Sequence, residues 1–165
     1  MPVRTICSIG HSNHPAAVFV AMLQSFGIRH LADIRSFPGS RRYPQYNRHS
    51  LMAALADAGI HYTHLPGLGG RRNLLHDVTN TTRGQGHFHS YALYMKTDEF
   101  SAALQELETL AGQCPTAYMC AEADWQHCHR SMVSECLSAN DWKVLHIRSL
   151  GTAIQHPATE QGRLF

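Results

Sequence analysis

The chain has 165 residues, of which 44% are hydrophobic, and a formal net charge of +2. This length suits one hydrophobic core, so we expect a single domain over residues 1–150 and a loosely ordered tail over residues 151–165. No stretch approaches the roughly 20 consecutive apolar residues that a membrane span needs, and the start lacks the pattern of a signal peptide. We therefore expect a soluble, cytoplasmic protein without a membrane partner.

Short β-prone segments alternate with amphipathic segments along the chain. The predicted strands are Thr5–Ile9, His30–Arg35, His61–Leu65, Thr116–Cys120 and Lys143–Ile147. The predicted helices end near Gly27, Gly59, Gly112 and Asn140, and the first and third begin at Pro15 and at Thr97 or Asp98. This alternation predicts a three-layer, Rossmann-like α/β domain with a mostly parallel sheet of about five strands.

Polar side chains follow the carboxyl ends of the predicted strands, where ligands bind in open parallel sheets. These side chains include His11, Ser12, Asp33, Arg35, Cys120 and Glu122. Since strand ends converge on one crevice, we expect a common site. Glu122 lies two residues past Cys120, so we expect its carboxyl to face the same pocket, partly buried, as a proton carrier.

The segment from Cys120 to Arg130 joins a predicted strand to a helix start. A helix N-terminus binds anions and lowers the pKa of a nearby thiol. In one interpretation Cys120 or Cys128 is a nucleophile, Glu122 or His129 carries protons and Arg130 binds an oxyanion or phosphate. In the other, Cys120 is a core residue and Glu122 caps the helix. The Cys-x5-Arg spacing of cysteine phosphatases is absent.

Metal or redox chemistry is the alternative for the same segment. Cys120, Cys128 and His129 could bind zinc or iron, but neither a Cys-x2-Cys pair nor a His-Glu-x2-His helix is present, so no cofactor is predicted. Five cysteines without an export signal indicate free thiols. Histidines within predicted strands, such as His61 and His146, are more simply interpreted as hydrogen-bonded core residues.

Residues 35–48 interleave arginines with aromatic residues. Guanidinium groups bind phosphates and aromatic rings stack on bases, so this segment predicts a phosphate-bearing small molecule or single-stranded nucleic acid as partner. The candidate contacts are Arg35, Arg41 and Arg42, and Arg71, Arg72 and Arg83 would extend the basic rim. The alternative is an exposed proline-rich turn whose aromatic rings pack on the domain.

Four blocks of the sequence resemble the domain-of-unknown-function 488 family. They are Ser8–Pro15, Asp33–Arg42, Leu65–Arg71 and Met119–Glu122, the last continuing to Cys128–Arg130. The resemblance implies a single α/β domain and no particular reaction. It directs attention to the site candidates above, and it alone adds Tyr91 and Tyr94, of which Tyr94 is taken as a substrate-binding candidate.

The leading functional hypothesis is a hydrolase or transferase acting on a nucleotide or a nucleic-acid component. No Gly-x-Gly-x-x-Gly pattern follows the first strand, which disfavours a nicotinamide enzyme. Two alternatives stay open: a non-catalytic nucleic-acid-binding module, and a metal-binding or thiol-redox protein.

Overall fold

The computed structural model describes residues 3–39, 41–70 and 91–157. Within these residues one sheet has six strands, in the spatial order β3-β2-β4-β1-β5-β6. The strands are β1 (Arg4–Gly10), β2 (His30–Asp33), β3 (His61–His64), β4 (Thr116–Cys120), β5 (Trp142–Ser149) and β6 (Thr152–Gln155). Neighbouring strands are parallel except for β5 and β6. The predicted α/β fold with a mostly parallel sheet is confirmed.

Helices cover both faces of the sheet. They are α1 (Ala16–Ser25), α2 (Arg48–Asp57), α3 (Asp98–Gln113) and α4 (Arg130–Ala139). Alternate strand residues point to opposite faces, and in β4 Met119 packs with the core of α1 and α2 whereas Tyr118 packs with that of α3 and α4. The domain therefore has three layers. No helix among the described residues is long and apolar enough to cross a membrane.

Local signals set the helix ends as predicted. The Thr97 hydroxyl accepts a hydrogen bond from the backbone N–H of Phe100, which caps α3 at its start. Gly27 follows α1 with φ of +68°, in the left-handed region that favours glycine. Asn140 ends α4.

The segment after Gly151, predicted to be loose, begins with an ordered strand instead. β6 pairs antiparallel with β5, with Ile154 opposite His146, and the backbone N–H of His156 then donates to the carbonyl of Val144 at 2.8 Å. The ordered fold thus passes the predicted boundary at residue 150. The sequence pattern missed β6 because the strand has four residues, most of them exposed.

Some of the predictions fall outside the described residues. They concern the basic rim at Arg71, Arg72 and Arg83 and the end of the tail, residues 158–165.

Candidate functional site

A cavity of about 730 Å³ opens at the carboxyl ends of β1, β2 and β4. These three strands are neighbours in the sheet, so their ends meet at one crevice. The cavity is lined by His11, Ser12, Arg35, Ser36, Phe37, Gly39, Arg42, Tyr43, Gly70, Cys120, Ala121, Glu122, Ala123, Cys128 and His129. Most of the predicted site residues therefore lie at one place.

Two free thiols lie side by side in one wall of this cavity. Cys120 ends β4, Cys128 lies just before α4, and their sulfur atoms are 2.8 Å apart. Nε of Arg130 donates to Cys120 Sγ at 3.0 Å. The exposed fractions of Cys120 and Cys128 are 2% and 5%. We call Cys120, Cys128, His129 and Arg130 the thiol wall.

The thiol wall shifts the pKa values of its two cysteines in opposite directions. Burial opposes ionisation of Cys120, but the hydrogen bond from Cys128 and the Arg130 guanidinium together lower its pKa below the usual value. The pKa of Cys128 is raised, because its thiol is hydrogen-bonded to Cys120 and buried. The first proton to leave the pair is therefore the one on Cys120, and Cys128 keeps its own.

Arg130 lies behind the cavity rather than in it. Arg130 is 1% exposed. Besides its contact with Cys120, its guanidinium donates to Ser8 Oγ at 3.1 Å and to the carbonyl oxygen of Glu122 at 2.6 Å. It also donates to the carbonyl of Ala123 at 3.3 Å. The predicted role as a phosphate clamp is not supported, since this cation faces the thiolate and the protein interior.

Glu122 contributes its backbone to the site. Its carbonyl holds Arg130, but the residue is exposed at the cavity rim, and its carboxylate has no hydrogen-bond or ion-pair partner within the described part of the chain. Glu122 lies at the common cavity as expected, but the expectation that its carboxyl is partly buried is wrong. The extended strand ends at Cys120, so the alternation on which that expectation depended does not reach Glu122.

A close backbone approach fixes the end of β1 against residues 120–122, at the end of β4. A Cβ on Gly10 would lie 1.7 Å from the carbonyl oxygen of Glu122, so only glycine fits. The backbone N–H groups of His11 and Ser12 donate to the carbonyls of Cys120 and Ala121, each at 2.9 Å. The end of β1 thus carries His11 and Ser12 to the cavity next to the thiol wall.

Asp33 orients Arg35 in the wall formed by β2. Nε and Nη2 of Arg35 donate to the two carboxylate oxygens at 2.9 and 2.7 Å, and the hydroxyl of Tyr62 donates to Asp33 at 2.6 Å. Asp33 is fully buried, whereas Arg35 lines the cavity. Asp33 therefore acts on the cavity through Arg35 and does not line it.

His11 is a neutral histidine in this cavity. Its Nδ1 is 2.9 Å from the carbonyl oxygen of Ser12, which can only accept, so Nδ1 carries the proton and Nε2 faces Nη1 of Arg35 at 3.5 Å. Burial, opposed in part by the hydrogen bond to Ser12, lowers the pKa of His11 to about 4. Its ring stacks on Tyr46 at 4.1 Å between centroids.

The arginine loop, residues 36–39 and 41–48, forms the open side of the cavity. Phe37 is 70% exposed, and Arg42 lines the cavity with its guanidinium 5.6 Å from the centre of the Tyr43 ring. Arg41 is exposed outside the cavity lining. Tyr46 is buried against His11, so this ring does not offer a free stacking surface.

Tyr94, taken from the family resemblance as a binding residue, is a core residue. It is buried, its hydroxyl donates to the carbonyl of Gly67 at 2.7 Å, and its ring packs edge-on against Phe100. It does not line the cavity.

The alternative metal ligands do not form a binding geometry. Among the described residues no group of three or more His, Cys, Asp or Glu side chains is arranged to hold a metal ion. Two thiolates on one zinc ion, with bonds of about 2.3 Å and tetrahedral geometry, are separated by nearly 4 Å. The sulfur atoms of Cys120 and Cys128 are closer than that.

Sequence reasoning missed two residues that support the site. Tyr62 holds Asp33, and Ser8 accepts from Arg130. Ser8 could have been found, because it is a hydroxyl inside an otherwise apolar strand that the parallel register places between β4 and β5. The Tyr62 contact depends on the tertiary arrangement of β2 and β3 and has no local sequence signal.

The fold and the site together define a class of protein: an α/β domain with a mostly parallel sheet and a buried cysteine pair at its strand ends. The chain belongs to the family described as domain of unknown function DUF488, whose model matches residues 15–137. No curated protein and no solved structure matched this sequence significantly. The family confirms the resemblance and assigns no reaction.

Proposed function

We propose that this protein is an enzyme, a hydrolase or transferase, that uses the Cys120 thiolate as nucleophile on a phosphate-bearing nucleotide or nucleic-acid component. The observation that carries this proposal is the contact of Cys120 Sγ with both a buried guanidinium at 3.0 Å and a second thiol at 2.8 Å, beside a large cavity. A cation and a hydrogen-bond donor on one sulfur are the arrangement that activates a nucleophilic cysteine.

The proposed reaction has two steps. Cys120 Sγ attacks the electrophilic centre of the substrate, forming a bond to sulfur while the bond to the leaving group breaks. The leaving group takes a proton from His129, which enters this step as the imidazolium and leaves it neutral. Water or an acceptor alcohol then attacks the same centre, gives its proton to His129 and breaks the bond to sulfur. Cys120 returns as a thiolate. His129 lines the cavity with Nδ1 3.5 Å from Cys128 Sγ, which supports this role.

The opposite side of the cavity suits a phosphate group. Arg42 brings an exposed guanidinium to the lining, and Arg35 adds Nη1 next to the neutral His11. Arginine forks bind phosphate oxygens well. A small phosphate-bearing molecule is favoured over an extended single strand, because Phe37 is exposed whereas Tyr43 is half-buried and Tyr46 is buried, which leaves few rings for stacking on successive bases.

A second candidate function, thiol redox exchange, is favoured by the short distance between the two sulfur atoms. A disulfide would form if the Cys120 thiolate attacked a peroxide oxygen, releasing hydroxide or alkoxide, and Cys128 then displaced hydroxide from the sulfenic acid. Equilibration with glutathione redox buffers measures the reduction potential of the Cys120–Cys128 pair directly. A Cys120–Cys128 disulfide that forms only at potentials far above that of cellular glutathione would contradict redox exchange.

Competitive alkylation tests the proposed enzyme. The protein is treated with iodoacetamide alone and with adenosine monophosphate, inorganic phosphate or a short single-stranded oligonucleotide, and label on each cysteine is measured by mass spectrometry. We expect rapid labelling of Cys120 and saturable protection by adenosine monophosphate. Cys136 is the internal control, since burial and neighbouring acids raise its pKa to about 11.

Two outcomes would contradict the proposal. In the first, Cys120 reacts no faster than Cys136, so the thiolate is not a nucleophile. In the second, Cys120 reacts rapidly but no phosphate-bearing probe protects it, so the substrate class is wrong. Protection by the oligonucleotide alone would favour the nucleic-acid partner.

A further inference from the structure

A buried chain of hydrogen bonds leads from the thiol wall to the outer side of α4. Ser8 Oγ, which accepts from Arg130, lies 2.5 Å from His146 Nδ1. His146 Nε2 lies 3.0 Å from His156 Nδ1, and His156 Nε2 lies 2.9 Å from Glu135 Oε1. Ser8, His146 and His156 are buried, whereas Glu135 is half-buried.

The direction of every bond in this chain follows from its chemistry. Among the described residues Ser8 Oγ has two partners, and Arg130 can only donate, so the Ser8 hydroxyl donates to His146 Nδ1. His146 therefore carries its proton on Nε2 and donates to His156 Nδ1. His156 in turn donates from Nε2 to the Glu135 carboxylate. Every donor points from the guanidinium toward the carboxylate.

The surroundings of His146 keep this direction fixed. Trp125 stacks on the imidazole with centroids 4.1 Å apart and planes 5° apart, which prevents the ring from tilting. Burial, with the nearby His156, Arg130 and Arg148, lowers the pKa of His146 to about 3, so the ring stays neutral. The chain thus works as a set of aligned dipoles ending on a carboxylate, and aligned hydrogen bonds strengthen one another.

We propose that His146, His156 and Glu135 are positioning residues that hold Arg130 against Cys120 and thereby keep Cys120 ionised. The proposal rests on the proposed role of Cys120 as nucleophile. An electron-rich Ser8 oxygen fixes Nη1 of Arg130, and this fixes the direction in which Nε donates to the thiolate. β6 has a function in this arrangement, because its pairing with β5 brings His156 to His146.

The titratable groups around Cys120 are few within the described part of the chain. Cys128 and Arg130 contact its sulfur, His129 lies beyond Cys128, and Tyr118 lies on the same strand. None of these is altered by a substitution at Glu135 or His146. A change in the ionisation of Cys120 in such variants therefore reports on the hydrogen-bond chain, which acts on Cys120 through Arg130.

The test is the pH dependence of iodoacetamide labelling at Cys120, read at that residue by mass spectrometry without any substrate. His146→Phe keeps the stacking on Trp125 but removes the acceptor for Ser8, so we expect the midpoint to rise by about one pH unit and labelling below the midpoint to fall about tenfold. Glu135→Gln keeps the side-chain shape and should slow labelling about threefold. The rate at high pH, where Cys120 is fully ionised, should match that of the unmodified protein.

Glu108→Gln is the matched control. Glu108 is also a half-buried helix carboxylate and accepts from Trp142 Nε1 at 2.9 Å, but it is not part of the hydrogen-bond chain. The midpoint of Cys120 labelling should therefore not change in this variant. A network that only satisfies buried polar groups would lower stability in the His146 and Glu135 variants without moving the midpoint, and that result would overturn the proposal. If His146→Phe does not fold, Glu135→Gln decides alone.

The two proposals fail separately in this experiment. Labelling of Cys120 that is as slow as that of Cys136 in the unmodified protein would refute the nucleophile itself. Fast labelling in the unmodified protein, with unshifted midpoints in the folded variants, would refute only the positioning chain.

Discussion

The two sides of the cavity differ in how much of their geometry the fold determines. In the thiol wall, Cys120 and Arg130 are buried and every polar contact goes to another protein atom. In the arginine loop, Phe37 and Arg42 are exposed, and the Arg42 guanidinium stacks only loosely over Tyr43. A rigid side suits bond-making chemistry, which needs exact placement, and an adaptable side suits capture of a charged ligand.

The largest effect is expected at the centre of the thiol wall. Arg130→Met removes a buried cation and leaves Ser8 and the carbonyl of Glu122 without their donor. Breaking a buried charge pair and its hydrogen bonds should lower the free energy of unfolding by about 4 kcal/mol. Urea denaturation measures this. Arg29→Met, at an exposed arginine, should change stability by less than about 0.5 kcal/mol. Equal losses in the two variants would show that the thiol wall is not rigidly built.

Gly10→Ala tests the close fit of β1 against the same wall. The new Cβ would lie 1.7 Å from the Glu122 carbonyl oxygen, so the backbone must move, and we expect a loss of about 3 kcal/mol in the free energy of unfolding. Labelling of Cys120 should slow as well, because Arg130 is held by that carbonyl.

Gly112→Ala is the control for this change. Gly112 lies within α3 with no other heavy atom within 4 Å of an added Cβ, so alanine should be neutral or stabilise the helix by about 0.5 kcal/mol. A Gly10→Ala protein as stable as this control would contradict the tight packing of the thiol wall.

The fold was predictable because its signals are local, whereas the site was predictable only in its location. β4 was predicted with its exact bounds, since Thr116–Cys120 is a fully buried run, and strand ends in a parallel sheet must meet. The roles were not predictable, because they depend on contacts distant in sequence. Arg130 at the start of a helix looks like a ligand clamp until its guanidinium is seen to contact Ser8, which is 122 positions earlier.

Acid should destabilise the protein through its buried neutral histidines. His11 and His146 have pKa values of about 4 and about 3 in the folded protein, below the ordinary value of 6.5. As the pH falls below 6.5 the unfolded chain binds protons at both residues and the folded chain does not, so stability present above that pH is lost progressively toward pH 4 and then toward pH 3. Between pH 7 and 5 we expect each of the two histidines to contribute a loss of about 2 kcal/mol, which is about 4 kcal/mol together.

Urea denaturation across this pH range, with variants, assigns the loss. His146→Phe should make the dependence on pH shallower, because one of the two groups no longer titrates. His49→Phe, at an exposed histidine, should leave the slope unchanged. An unchanged slope in His146→Phe would mean that this ring is not held neutral by the fold.

The smallest effect is expected in the arginine loop, and there it should be confined to binding. Arg42 lines the cavity and its neighbour Arg41 does not, so Arg42→Ala should weaken the affinity for adenosine monophosphate about tenfold while Arg41→Ala leaves it nearly unchanged. Both side chains are exposed, so neither variant should change the free energy of unfolding by more than about 0.5 kcal/mol. Isothermal calorimetry gives the affinity and urea denaturation the stability. Equal weakening in the two variants would indicate a diffuse attraction to positive charge, which high salt removes, and no phosphate contact made by the cavity. A loss of affinity specific to the Arg42 variant would instead show that an adaptable side of the cavity can still select its ligand through one well-placed guanidinium group.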